Sequence, residues 1–235
     1  MNYFDQFAFQ VYPYIAMAVF FIGSWARFDR SMYTWRTGSS QLLSSRGMRI
    51  GSNLFHVGIL VVLAGHVVGL LTPHALYSVF ITAHQKQLLA MGVGGVFGVL
   101  CLIGLLILLV RRLTNSRVRA TGTVGDTLVL ILLLVQLLLG LYTIVISTEH
   151  LDGSVMLALA DWAQHIVTFR WGAADYIMGV HWVYKAHLAL GMTLFLLAPF
   201  TRLVHVWSIP LSYLWRPYQV VRRRQPTLNY GPRAP

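Results

Sequence analysis

Five long apolar runs divide the chain, and short polar stretches separate them. The runs cover about 4–27, 51–71, 88–110, 124–147 and 179–204. At about 1.5 Å of rise per residue, each run is long enough to cross roughly 30 Å of hydrocarbon as a helix. The first run has no basic segment before it and carries Asp5 near its start, so we interpret it as a retained span rather than a cleaved signal peptide. The pattern predicts an all-α integral membrane bundle of five transmembrane helices.

Composition supports a lipid environment for most of the chain. Of its 235 residues, 57% are hydrophobic and 11% are charged, whereas a soluble domain carries about a quarter charged residues. The stretches between the runs are too short for a second folded domain. We therefore predict one membrane domain over 1–206 and a basic tail over 207–235. The tail is either an anchor on anionic membrane lipid or a docking strand for a cytoplasmic partner.

The basic residues show a consistent sidedness. All of the 18 except Lys86, Arg170 and Lys185 fall on one side of the predicted spans. By the positive-inside rule that side is cytoplasmic, which puts the N-terminus outside and the C-terminus inside. Because these residues flank spans and form no stripe with stacking aromatics, the net charge of +11 does not indicate nucleic-acid binding.

Histidines in two of the predicted spans carry the strongest chemical signal. His56 and His66 lie in the second run, and His187 and His205 lie in or at the end of the fifth. A lone histidine in a span is usually a hydrogen-bonded packing residue, but ionisable groups there suggest function. The two spans are antiparallel, so only His66 with His187, and His56 with His205, match in depth. Metal–ligand bonds of about 2 Å then require two separate sites.

Haem suits these pairs, since two imidazoles from facing helices can clamp a flat macrocycle and leave the iron no open position. Cys101 is the single cysteine, which excludes a cysteine-rich metal site and covalent haem attachment, so the haems would be of the b type. If both spans were straight helices, His187 and His205 would share one face, whereas His56 and His66 would be about 80° out of register. The irons would lie on the order of 20 Å apart.

Several other residues are candidates with two interpretations each. Gly58, Gly65, Gly69 and Gly191 either admit a macrocycle close to the backbone or serve ordinary helix packing. Lys86 is either an interfacial lysine that snorkels towards water or a hydrogen-bond donor to a quinone or quinol oxygen. Arg111, Arg112 and Arg202 could pair with propionates of an inner haem, and Lys185 with those of an outer haem, or all four could simply determine topology.

The remaining histidines, His74, His84, His150, His165 and His181, fall in loops or at span ends, where solvation or capping is the expected role. His181 is the main rival ligand, but its position is too shallow to pair well with His66. The loop 148–178 carries Trp162, Phe169 and Trp171, which suit an interfacial segment or a cap over a site.

Longer motifs extend through most of the chain. They are YPYIAMAVFFIGSW (12–25), YTWRTGSSQLL (33–43), SNLFHVGIL (52–60), GHVVGLLTPH (65–74), GVLCLIG (98–104), SRVRAT (116–121) and HLALGMTLFLLAPFTRLVHVWSIP (187–210). Together they closely resemble the gamma-subunit family of bacterial respiratory nitrate reductases, the membrane cytochromes b of those complexes. The resemblance reaches to about residue 224.

The resemblance implies a detailed function. It assigns His66 and His187 to the outer haem, His56 and His205 to the inner haem, and Lys86 to the quinol site beside the outer haem. The expected activity is oxidation of menaquinol or ubiquinol near the outer face of a bacterial inner membrane. Electrons would pass to an iron–sulfur partner on the cytoplasmic side and from there to a molybdenum subunit that reduces nitrate, while protons are released outside.

Three other functions remain open from the residues alone. The chain could be the cytochrome b of another quinone-linked complex, such as a formate dehydrogenase or a hydrogenase, which would differ in its docking face and co-purified subunits. A transporter or proton channel with histidine relays would be colourless. A pure membrane anchor would tolerate loss of all four paired histidines.

Overall fold

The computed structural model describes residues 3–35, 40 and 47–207, and within these ranges the regular elements are helices without any strand. The predicted all-α fold is therefore confirmed. The predicted tail over 207–235 lies outside the described residues, apart from the backbone of its first residue.

Five helices are long and apolar enough to cross a membrane, as the hydropathy pattern predicts. Their bounds within the described ranges are Tyr3–Ser31, Met48–Leu71, Ala83–Thr114, Val124–Ser147 and Trp182–Phe200, and they are called here the first to fifth spans. The third span begins five residues before the predicted start, because Thr82 and Gln85 form a capping box that satisfies the first free backbone N–H groups. The chain is a multi-pass membrane protein.

Glycines bring the second and third spans into close contact. A Cβ atom on Gly58 would lie 2.7 Å from the Cβ of Cys101, and one on Gly104 would lie 2.9 Å from the Cα of Phe55. Small residues of this kind let helix backbones approach in a membrane, where van der Waals packing replaces the hydrophobic effect. Gly58 therefore serves helix packing, and Cys101 is fully buried against it.

The spans pack mainly in chain order, with the fifth returning to the first. The third span contacts the second and the fourth, and the fifth contacts the fourth and the first. Direct backbone approach between the second and fifth spans is slight. These are the two spans with the paired histidines, so they meet through side chains rather than through close backbone contact.

The end of the fifth span corrects the sequence prediction of one helix over 179–204. The α-helix covers Trp182–Leu197 and tightens into a 3-10 turn over Ala198–Phe200. Pro199 has no N–H to continue the α-helical pattern, and Thr201 is extended before a second 3-10 segment over Arg202–Trp207. His205 lies on that second segment, so His187 and His205 do not share the face of one continuous helix.

The first span is anchored to this break. Arg27 donates from Nη1 to the carbonyl oxygens of Pro199 and Thr201, at 2.7 Å each. Such carbonyls have no helical partner after a break and need a donor. The guanidinium therefore stabilises the point at which the fifth span changes direction.

The connection between the fourth and fifth spans contains a helix over Ser154–Val167, called here the connecting helix, and a short 3-10 helix over Ala173–Ile177. Phe169 and Trp171 are exposed, but Trp162 is buried and donates from its indole N–H to the Phe9 carbonyl at 2.9 Å. Phe9 lies in a π-helical turn, where the wider hydrogen-bond pattern changes which carbonyls are available. Trp162 thus packs against the first span, and whether the connection lies at the membrane interface or caps a site stays a prediction.

Candidate functional site

The side chains of His66 and His187 meet between the second and fifth spans. Their ring centres are 6.0 Å apart, with the planes 36° from parallel. His66 is exposed to the space between the helices, and His187 is half-buried. The pairing follows the depths deduced from the sequence, since the two residues lie on antiparallel spans.

A second pair forms at the other end of the same two spans. The rings of His56 and His205 are 6.2 Å apart between centres, with 61° between their planes. His56 lies near the start of the second span, whereas His205 is supplied by the 3-10 segment beyond the fifth span. The change of direction at Pro199 lets the pair form despite the register mismatch that two straight helices would give.

All four rings use the same nitrogen for a hydrogen bond to the backbone. A carbonyl oxygen can only accept, so Nδ1 must carry the proton in each ring, and Nε2 keeps its lone pair. The acceptors are the carbonyls of Ser52 for His56 (2.7 Å), Val62 for His66 (2.7 Å), Gln136 for His187 (3.2 Å) and Arg202 for His205. An imidazole held by Nδ1 in this way is prepared to bind a metal through Nε2.

The separation of the rings fits a haem iron between each pair. A metal–nitrogen bond of about 2 Å on both sides, plus about 1 Å from each nitrogen to its ring centre, gives about 6 Å between ring centres. The described part of the chain contains no group of three or more His, Cys, Asp or Glu side chains able to hold a metal ion. Two imidazoles per site therefore suit a metal that brings its remaining ligands in a macrocycle.

The glycines near the pairs have three different roles. Added Cβ atoms on Gly65 and Gly69 would meet nothing within 4 Å, so both glycines border open space on the helix that carries His66. Gly191 instead faces the Gln136 amide, at 3.2 Å from the added Cβ, and Gly58 packs against the third span. Only Gly65 and Gly69 have the surroundings that close approach of a macrocycle requires.

A cluster of charges supports the turn that carries His205. Asp126 accepts from Arg112 at 3.2 Å and from Arg202 at 2.7 Å, joining the third and fourth spans to the 3-10 segment. The carbonyl of the same Arg202 accepts from His205. Asp126 is not among the residues predicted from the sequence, although its position three residues after Thr123 is the signature of a capping box, which the structure contains.

The basic side chains considered for haem propionates have partners within the protein. Arg112 and Arg202 share Asp126, and Arg111 donates to Ser40 at 2.8 Å. Lys185 pairs with Asp5 at 3.2 Å, which ties the fifth span to the first. Each cation therefore stabilises contacts between segments.

Lys86 lies in the first turn of the third span and is only 7% exposed, so it does not snorkel to water. Its Nζ atom is 3.7 Å from the ring centre of Tyr77, a cation–π contact, and finds no hydrogen-bond partner among the described residues. The Tyr77 hydroxyl is also buried without a partner, and burial followed by the charge of Asp161 raises the pKa of this phenol. The arrangement leaves a buried cation whose hydrogen-bond donors are unused.

The other histidines have local roles. The ring of His181 accepts from the N–H of Val183 at 3.4 Å and caps the fifth span, and His84 bonds to the Leu151 carbonyl. His165 bonds to the carbonyl of Asp161 at 2.8 Å. The expectation of capping holds for His181, which is the rival ligand considered from the sequence.

Gln136 and Gly140 in the fourth span are further residues that sequence reasoning missed. Gln136 donates from Nε2 to the main-chain carbonyl of His187 at 3.1 Å, and a Cβ on Gly140 would lie 2.9 Å from the His187 ring. A polar side chain in the middle of an apolar span was the available signal for Gln136. Gly140 gave no signal of its own.

Comparison with known proteins gives a consistent result. Residues 5–224 match the family model of the nitrate reductase gamma subunit. The chain is 54% identical to the respiratory nitrate reductase 1 gamma chain of Escherichia coli over 224 residues, which is 95% of this chain and all of that one. It is 55% identical over 225 residues to the respiratory nitrate reductase 2 gamma chain of the same organism, covering 96% of this chain and all of that one. The nitrate reductase gamma chain of Bacillus subtilis is 37% identical over 220 residues, covering 93% and 98% of the two chains. The chain therefore belongs to the nitrate reductase gamma subunit family, as a membrane component of an oxidoreductase complex in nitrate respiration.

Proposed function

We propose that this subunit oxidises a quinol near the outer face of the membrane and delivers the electrons to the cytoplasmic side. There, an iron–sulfur partner and a molybdenum subunit would use them to reduce nitrate. The observation that carries the proposal is the presence of two imidazole pairs at different levels of the same two spans, with ring centres 6.0 and 6.2 Å apart.

His66 and His187 would hold an outer b haem, and His56 and His205 an inner one. Haems bound by two imidazoles have no open iron position, so they supply one-electron exchange rather than oxygen chemistry. The chain contributes the Nδ1 hydrogen bonds that fix the tautomer of each ring and leave Nε2 as the nitrogen with a lone pair for the iron.

Lys86 is the residue that we propose contacts the quinol. A buried ammonium group without an acceptor is costly, and the face of the Tyr77 ring compensates only in part. An oxygen of the quinol would supply the missing acceptor and, in return, be held in place by Nζ. Lys86 would then bind and orient the substrate.

The direction of transfer rests on the predicted topology. With the N-terminus outside and the C-terminus cytoplasmic, Lys86 and His66 lie towards the outside of a bacterial inner membrane. Oxidation of one quinol gives a quinone, two protons and two electrons. If the protons leave outside and the electrons leave inside, the reaction transfers charge across the membrane.

The test measures quinol-dependent nitrate reduction in the assembled complex, together with a reduced-minus-oxidised spectrum. His66→Ala should abolish quinol oxidation, whereas His150→Gln, at an exposed loop histidine, should leave both activity and spectrum unchanged. A complex without a haem spectrum would exclude the proposal in favour of a transporter or an anchor. Full activity of His66→Ala would equally contradict it.

A further inference from the structure

The ring of His187 differs from the other three paired rings because its hydrogen-bond acceptor lies on a different helix. His56, His66 and His205 each donate from Nδ1 to a carbonyl three or four residues earlier in their own segment. His187 instead donates across the bundle to the Gln136 carbonyl in the fourth span, at 3.2 Å. Its orientation therefore depends on how the fourth span packs against the fifth.

Two more contacts link the fourth span to His187. The Gln136 side chain donates from Nε2 to the main-chain carbonyl of His187 at 3.1 Å, and the same atom lies 3.5 Å from the Nε2 of the ring. One turn further along, the backbone of Gly140 packs against the ring, because an added Cβ would be 2.9 Å from Cε1 and 3.6 Å from Nδ1. A methyl group at position 140 could fit only if the ring moved.

The Gln136 side chain has one satisfied end and one unsatisfied end. Its Nε2 reaches a carbonyl oxygen, which only accepts, whereas its Oε1 is buried without a partner in the part of the chain that the structure describes. A buried acceptor without a donor costs free energy. The side chain is therefore held where it is by the contact with His187 and not by a full set of its own hydrogen bonds.

We propose that Gln136 and Gly140 are positioning residues, which set the orientation and basicity of the His187 ring and thereby the reduction potential of the outer haem. The inference rests on the haem proposed for the His66–His187 pair. A hydrogen bond donated by Nδ1 increases the basicity of the imidazole and favours the oxidised iron. Weakening that bond should favour the reduced form.

The experiment is a redox titration of the assembled complex, with electron paramagnetic resonance of the oxidised haems as a second readout. In Gly140→Ala, the outer haem's ratio of reduced to oxidised form at a fixed potential should rise about three- to tenfold, a tenfold change being 59 mV for one electron. The resonance of the outer haem should shift, and that of the inner haem should not. Gly125→Ala is the matched control in the same span, since its added Cβ would meet only Thr123 at 3.8 Å.

Gln136→Met keeps the length of the side chain and removes the donor, so it tests the same idea without crowding the ring. It should shift the ratio about two- to threefold in the same direction, because the main chain of His187 is then less firmly tied to the Gln136 carbonyl. If Gly140→Ala does not assemble, this variant decides the question.

Two outcomes separate the inference from the function on which it rests. A wild-type complex without haem would overturn the proposed function itself. Two haems in the wild type, with potentials and resonances of the outer haem unchanged in both Gly140→Ala and Gln136→Met, would overturn only the positioning role. Loss of the outer haem in Gly140→Ala, with the inner haem kept and Gly125→Ala normal, would support it.

Discussion

The His66–His187 pair joins two long helices, whereas the His56–His205 pair joins a helix to a short 3-10 segment beyond a break. The distances between ring centres are nevertheless almost equal, at 6.0 and 6.2 Å. The same site geometry is thus reached by different means. Close packing against Gly140 and a backbone carbonyl hold His187, while ionic and charge-assisted hydrogen bonds hold the segment with His205.

The difference has a physical reason. A ring in the middle of a bundle can be fixed by neighbouring backbones, because helices there are regular and approach each other closely. A segment after a helix break has free carbonyls and fewer neighbours, so it needs strong donors. Arg27 donates to these carbonyls, and Arg202 ties the segment to Asp126, which balances its charge.

Loss of a paired histidine should have the largest effect and should separate the two sites. We expect His187→Ala to lose the outer haem and keep the inner one, and His205→Ala to do the reverse. Quinol-dependent nitrate reduction should fall by about a thousandfold or more in both, because removal of a step from a linear electron path cannot be compensated. Haem content and the two resonances measure this. Loss of the same haem in both variants would contradict the pairing.

Asp126→Asn should destabilise the 3-10 segment that carries His205 and leave the His66–His187 pair unaffected. Asp126 is only part-buried, so removing its charge should cost about 1–3 kcal/mol. The substitution leaves Arg112 and Arg202 without their shared anionic partner. We expect a lower thermal midpoint in detergent and a broadened inner resonance, with the outer resonance unchanged. Asp29→Asn, at an exposed position of the first span, is the control. A normal midpoint for Asp126→Asn would show that the cluster does not support the turn.

Arg27→Met tests the anchor at the break in the fifth span. The variant leaves the carbonyls of Pro199 and Thr201 without their charged donor, at a cost of about 2 kcal/mol. Stability should fall, and the inner haem should be lost before the outer one on heating. Arg30 lies three residues further along the same helix and is exposed, so Arg30→Met should behave as the wild type. Equal heat sensitivity of both haems would argue against a local anchor.

Lys86→Ala should have the smallest effect on activity, and that effect should be confined to the proposed quinol site. We expect KM for the quinol to rise about tenfold, as for the loss of one hydrogen bond to a charged group, while both haems remain. Tyr77→Phe keeps the aromatic face beneath Nζ and should stay close to the wild type, whereas Tyr77→Leu should raise KM. Loss of haem in Lys86→Ala would make the lysine structural instead.

The sequence predicts the spans and the histidine depths well, because both follow from hydrophobic runs and the rise of a helix. Pro199 could have indicated the break in the fifth span, but a proline can also be accommodated within a membrane helix. The burial of Lys86 could not be deduced, since it depends on Tyr77 folding back over the lysine from the preceding turn. The contact of Gly140 with His187 is also tertiary, as nothing in the fourth span by itself indicates the facing residue.

The most direct test of the central claim is the haem content of the purified protein, measured as the ratio of b haem to polypeptide. Two imidazole pairs predict a ratio of about two, falling to about one in either His187→Ala or His205→Ala. A ratio near zero in the wild type, or a ratio that stays at two when His205 is replaced, would contradict the account.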